Sequence, residues 1–177
     1  MFAAMKYAIA FAVAFLLAVL SVSAMPYVKV LGVTPDFVLI FAVCWAVIRG
    51  QDEAVIVVPA SGFMRDLMTS DPLGTSALAM IPIVLLAAAI RLRTLDSDFV
   101  PSIAVVAVGS FTYGLISMSV LGVTGQHIDL FDAILRVVLP SVIVNALFCP
   151  IVYLPVRWLS PPPGPAILGS RRITSPL

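Results

Sequence analysis

Apolar runs broken by short charged or proline-bearing turns follow one another along this chain, with little polar sequence between them. The first, Tyr7–Val28, carries no charge and is long enough to span a bilayer. Two shorter runs come next, Phe37–Ile48 and Ala54–Met64. They are separated by Arg49-Gly50-Gln51-Asp52-Glu53 and flanked by Asp36, by Arg65-Asp66 and by Asp71. As helices these two runs are roughly 17 Å long at ~1.5 Å per residue, short of a hydrocarbon core of ~30 Å. Either they continue through their flanking charges, or they are buried among other helices in a thinned region. In both cases Asp36, Arg65 and Asp66 lie at or inside the edge of the apolar slab. A carboxylate there costs up to ~3 kcal/mol unless it is capped or paired.

The same pattern predicts an all-α protein of six membrane spans, at about 7–25, 35–48, 54–68, 76–90, 99–121 and 137–156. Thr34-Pro35-Asp36 reads as a helix start, with a cap, an N-terminal proline and a carboxylate at the positive end of the macrodipole. Asp71-Pro72 repeats that cap-then-proline order. Prolines 59 and 82 fall inside spans, where neighbouring helices can satisfy the freed carbonyls. Small residues line two spans and offer close-packing seams: Ala10, Ala14 and Ala18 in the first, and Ser110, Gly114 and Ser117 in the fifth. Ile128–Arg136 is amphipathic, with Asp132 and Arg136 at i,i+4 spacing, and reads as an interfacial lead-in to the last span. The tail, 160–177, is rich in proline and glycine and cannot bury a core.

Composition changes the picture in one respect. Apolar residues make up 62% of the chain and charged residues 11%, whereas a soluble domain carries about 25% charged residues. Such a chain cannot cover itself with a polar surface in water, so it belongs in a membrane. The N-terminal run has the outline of a signal peptide, but further spans follow it, and it reads as a retained first helix. Placing the N-terminus in the cytoplasm puts Lys6, Arg49, Arg91, Arg93, Arg157, Arg171 and Arg172 inside, seven of the ten positive charges. This agrees with the positive-inside rule and with both termini being cytoplasmic. A net charge of +1 gives no sign of nucleic-acid binding.

Chemistry is sparse. His127 is the only histidine, so a histidine metal site or a Ser-His couple lacks parts, and Ala60-Ser61-Gly62 has no base for a serine-protease mechanism. Cys44 and Cys149 are single and apolar in context, which reads as buried thiols. No cofactor motif is present. An aspartyl mechanism would need Asp36 and Asp66 to share a proton. Plainer readings stand beside it. Asp36 caps a helix, or contacts Arg65 or a partner protein. Asp66 pairs locally with Arg65, or anchors the bundle from inside. Adjacent helical residues point about 100° apart, so Arg65 and Asp66 do not naturally face each other.

Over residues 35 to 80 the order Pro35-Asp36, Trp45-Ala46-Val47-Ile48-Arg49, Gly62-Phe63-Met64-Arg65-Asp66-Leu67-Met68 and Pro72-Leu73-Gly74 resembles the rod shape-determining protein MreD family. Arg65 stands where that family usually has an apolar residue. The resemblance implies a bundle like the substrate-binding S-component of energy-coupling-factor transporters. It also implies a bacterial cytoplasmic-membrane location and a non-enzymatic role in cell elongation and peptidoglycan synthesis. The implied partners are an MreC-like single-span protein, a class B penicillin-binding protein with a RodA-like glycosyltransferase, and actin-like MreB on the cytoplasmic side. Membrane lipid is the remaining contact. Pro35, Asp36, Gly62, Asp66, Pro72 and Gly74 become the family positions, with Arg65 beside them, shaping the bundle or its partner surface. Two other functions stay open: the vitamin-binding S-component of a transporter, and an intramembrane aspartyl peptidase.

Overall fold

The computed structural model describes residues 2–23, 27–70, 72–91, 99–124 and 130–159. Asp71, the polar connector after Arg91, the loop with His127 and Asp129, and the tail 160–177 lie outside the described residues. The helices are α1 (Phe2–Ser23), α2 (Phe37–Arg49), α3 (Gln51–Asp66), α4 (Thr75–Arg91), α5 (Phe99–Val123), α6 (Leu130–Ala133) and α7 (Leu139–Leu159), with a π-helical turn (Ile134–Val138) joining α6 to α7. No strand occurs among the described residues.

Three helical stretches are long and apolar enough to cross a membrane: Lys6–Ser23, Phe99–Val123 and Phe131–Leu159. Two shorter apolar helices accompany them, Phe37–Arg49 and Thr75–Ala89. The expected interfacial lead-in to the last span is therefore the first part of one unbroken helix of 29 residues. The π turn lets the helix absorb an extra residue without ending. Asp132 and Arg136 pair across that turn at 2.6 Å, both well exposed.

At the centre sits α2, and every residue from Val38 to Ile48 is buried. A helix that is apolar on all sides suits a protein core or a membrane span, and α2 takes the first place, packed against α1, α3, α4, α5 and α7. At 13 residues it is about 20 Å long, so its ends lie below those of the longer helices around it. Phe41 and Trp45 stack along it with centroids 5.7 Å apart, and Phe37 meets Phe148 of α7 edge-on at 5.6 Å. Cys44 and Cys149 are buried free thiols.

The charged turn expected between the second and third spans shrinks to a single residue. Gly50, at φ 93°, separates α2 from α3, a left-handed conformation that costs glycine nothing. Gln51, Asp52 and Glu53 form the first turn of α3, where acidic groups meet the positive helix end. Glu53 is nearly buried and accepts from Lys6 Nζ at 2.6 Å and from Arg49 Nη2 at 2.7 Å. This cluster ties one end of α1, α2 and α3 together.

Candidate functional site

Two polar constellations sit at the other end of α2. The first joins α3 to α4. Asp66, 1% exposed, accepts the backbone N–H groups of Gly74 at 2.9 Å, Ser76 at 3.0 Å and Ala77 at 3.3 Å. It thereby caps the start of α4 from the end of the preceding helix, satisfying amides that have no intrahelical partner. Gly62 lies one turn earlier on the same face of α3. A Cβ at Gly62 would fall 2.7 Å from Ala77 Cα and 2.8 Å from Ala77 N. Only a glycine lets α4 come close enough for Asp66 to reach its first amides. Pro72 and Gly74 make the intervening turn: the Pro72 carbonyl accepts from Thr75 Oγ1 at 2.7 Å, and Gly74 takes φ 93°.

The second constellation joins five helices around Asp36. Its carboxylate caps α2 by accepting from Leu39 N at 3.0 Å and takes a salt bridge from Arg65 Nη1 at 2.7 Å. The backbone N–H of Asp36 donates to Asn145 Oδ1 at 2.8 Å, and Asn145 Nδ2 donates to Ser110 Oγ at 3.0 Å. Arg65 also donates to the Tyr113 hydroxyl and lies over its ring, 5.1 Å from the centroid. The Tyr113 hydroxyl lies 2.9 Å from Ser76 Oγ. A charge-assisted network of this kind is strong because each donor meets an acceptor in a low dielectric.

The residues singled out from sequence thus divide. Asp36 meets Arg65, while Asp66 does not pair with Arg65 and serves α4 instead. Among the described residues no hydrogen bond joins the two carboxylates: one is held by a guanidinium, the other by helix amides. Ala10, Ala14 and Ala18 are fully buried within the chain, so that seam is spent on intramolecular packing. Ser110 is buried against Asn145, and Gly114 abuts Val138 of the π turn, whose side chain lies 3.0 Å from where a Cβ would stand. Sequence reasoning missed Tyr113, Ser76 and Asn145 as members of one network, since separations of 35 to 109 residues from their partners leave no local signal. For Glu53 a signal existed, because it stands at i+4 from Arg49.

Above the Asp36 network opens a cavity of about 540 Å³. It is lined by the end of α1, the segment from Lys29 to Asp36, Arg65 and Thr69, the later part of α5, and the π turn with early α7. The cavity exists because α2 stops at Asp36 while α5 and α7 continue past it.

The Asp36–Arg65 pair carries a direct test. Arg65→Met should destabilise the chain by about 2 kcal/mol, since it strands a partly buried carboxylate. Asp36→Asn combined with Arg65→Met should recover most of that loss. Thermal unfolding in detergent of the wild type, both single variants and the double variant measures the coupling.

No curated protein and no solved structure matches the chain. Residues 3–160 match the family model of the rod shape-determining protein MreD. With a match over most of its length, this membrane chain belongs to the MreD family of rod shape-determining proteins.

Proposed function

We propose that the chain is a non-enzymatic membrane scaffold of the bacterial cell-elongation machinery that docks the membrane helix of an MreC-like single-span partner. The observation that carries this reading is how the interior charges are used. Asp36, Arg65, Asp66 and Glu53 are all engaged in holding helices to one another. Midway along α4 and α7 the outward-facing residues are apolar, including Leu78, Ile81 and Leu85 on α4 and Ile143, Leu147 and Ile151 on α7. A rigid bundle with such faces suits helix docking in lipid, where van der Waals packing drives association.

On this reading six helices, α1 to α5 and the helix ending in α7, cross the cytoplasmic membrane, with α2, α3 and α4 as short spans and both termini cytoplasmic. Lys6, Arg49 and Arg157 then lie at the inner end, as the positive-inside rule requires. An S-component-like bundle belongs to the same proposal. So do the class B penicillin-binding protein, the RodA-like glycosyltransferase and actin-like MreB as members of a larger assembly. Co-expression with the partner's single membrane helix, freed of its extracytoplasmic domain, tests the docking. The helix should co-purify with the wild type and equally with Asp132→Leu, which removes only an exposed pair worth about 0–1 kcal/mol. Failure of the isolated helix to co-purify would overturn the docking reading.

One observation favours a second reading, the ligand-binding subunit of a vitamin transporter. The cavity's volume falls within the ~300–1,000 Å³ of small-molecule sites. Mass spectrometry of the purified protein decides this: a tightly held vitamin would establish it, and its absence would leave the scaffold.

A further inference from the structure

We infer that the cavity above α2 receives the phosphate-bearing headgroup of an anionic membrane lipid. Its lining residues include three cations, Lys29, Arg65 and Arg136, against the single carboxylate of Asp36. Arg65 is tied to Asp36 and Arg136 to Asp132. Lys29 makes no ion pair among the described residues, so the lining carries positive charge that the described residues do not neutralise. Cationic and hydroxyl donors gathered in one pocket suit a phosphate group, whichever leaflet supplies it.

Hydroxyl groups supply the second observation. Thr69 Oγ1 is buried with no hydrogen-bond partner among the described residues, and Thr69 lines the cavity beside Ser117, whose hydroxyl is turned to Tyr113. A buried donor left unpaired is costly, and an acceptor entering the cavity would recover that loss. Phosphate oxygens accept several hydrogen bonds at once and match this set of hydroxyl and cationic donors.

The opening decides between a lipid and a soluble anion. Two edges of the cavity carry half-exposed apolar side chains, Val22 at 46% near the end of α1 and Val137 at 49% in the π turn. Acyl chains can lie along those edges while the headgroup enters, whereas a free phosphate gains nothing from them.

The test uses the full chain in phosphatidylcholine nanodiscs, with thermal unfolding followed as phosphatidylglycerol replaces part of the phosphatidylcholine. Phosphatidylglycerol should raise Tm by about 5 °C at saturation, a shift expected from a ligand well above its Kd. Sodium phosphate should give no rise. Lys29→Glu should remove most of the lipid-dependent rise and leave Tm in pure phosphatidylcholine unchanged, because Lys29 is an exposed loop residue. Arg157→Glu, a charge reversal at the far end of the bundle, should keep most of the rise. Equal losses in the two variants would reduce the effect to general surface attraction and overturn the site. An unchanged rise in Lys29→Glu would place the lipid elsewhere, and a rise with sodium phosphate alone would assign the cavity to a soluble anion. Either result would overturn the inference.

Discussion

Asp66→Leu is expected to lower stability by about 4 kcal/mol, the sum of a lost helix cap and buried amides left without acceptors. The magnitude follows from the position: Asp66 is buried and receives N–H groups from three successive or near-successive residues of the next helix. Leucine is no larger a burden on packing, so the loss reports hydrogen bonding. Asp66→Asn, which keeps one carbonyl acceptor, should lose less than half as much. Thermal unfolding in detergent separates the two. If leucine and asparagine were equally damaging, the charge itself and not the cap would matter. If neither mattered, α4 would be capped by some other group.

Gly62→Leu is the second large effect, expected at about 3 kcal/mol or more, at the upper end of overpacking costs. Even a methyl group would meet the α4 backbone at under 3.0 Å, and backbone cannot swing aside as a side chain can. The α3–α4 contact must open, which also pulls the first amides of α4 away from Asp66. The two substitutions should therefore be less than additive when combined, since each already breaks the same junction. Unfolding measurements on Gly62→Leu, Asp66→Leu and the double variant check this. Full additivity would mean that the glycine and the carboxylate act on separate parts of the bundle.

These two predictions also mark what the sequence made legible. Short apolar runs with charges at their ends identified α2 and α3, and the mismatch between their length and a bilayer left two outcomes: α2 is buried among other helices, whereas α3 runs on through its flanking charges and exposes Val55, Ile56 and Phe63. That Asp36 would cap and could meet Arg65 followed from its place at a helix start. The role of Asp66 was not legible, because the N–H donors it serves lie across a turn at the start of the next helix. The eye falls instead on Asp71-Pro72, whose carboxylate looks like the local cap. Nor was the cavity legible. It is a by-product of unequal helix lengths, and the residues lining it come from segments as distant as Ser21 and Asn145. The alanine row of α1 could be recognised as a seam, but its pattern is the same whether it faces another chain or, as here, the chain's own α2 and α3.

The enclosure of α2 bears on biogenesis. A lone spanning segment needs about 20 apolar residues, and α2 has 13 residues, the last of them Arg49, with no side turned toward lipid. On the six-span proposal it would have no stable place in the bilayer until its neighbours gathered, and the one-residue link at Gly50 would carry it in together with α3. Release of this segment from the translocon and assembly of the bundle would then be one event.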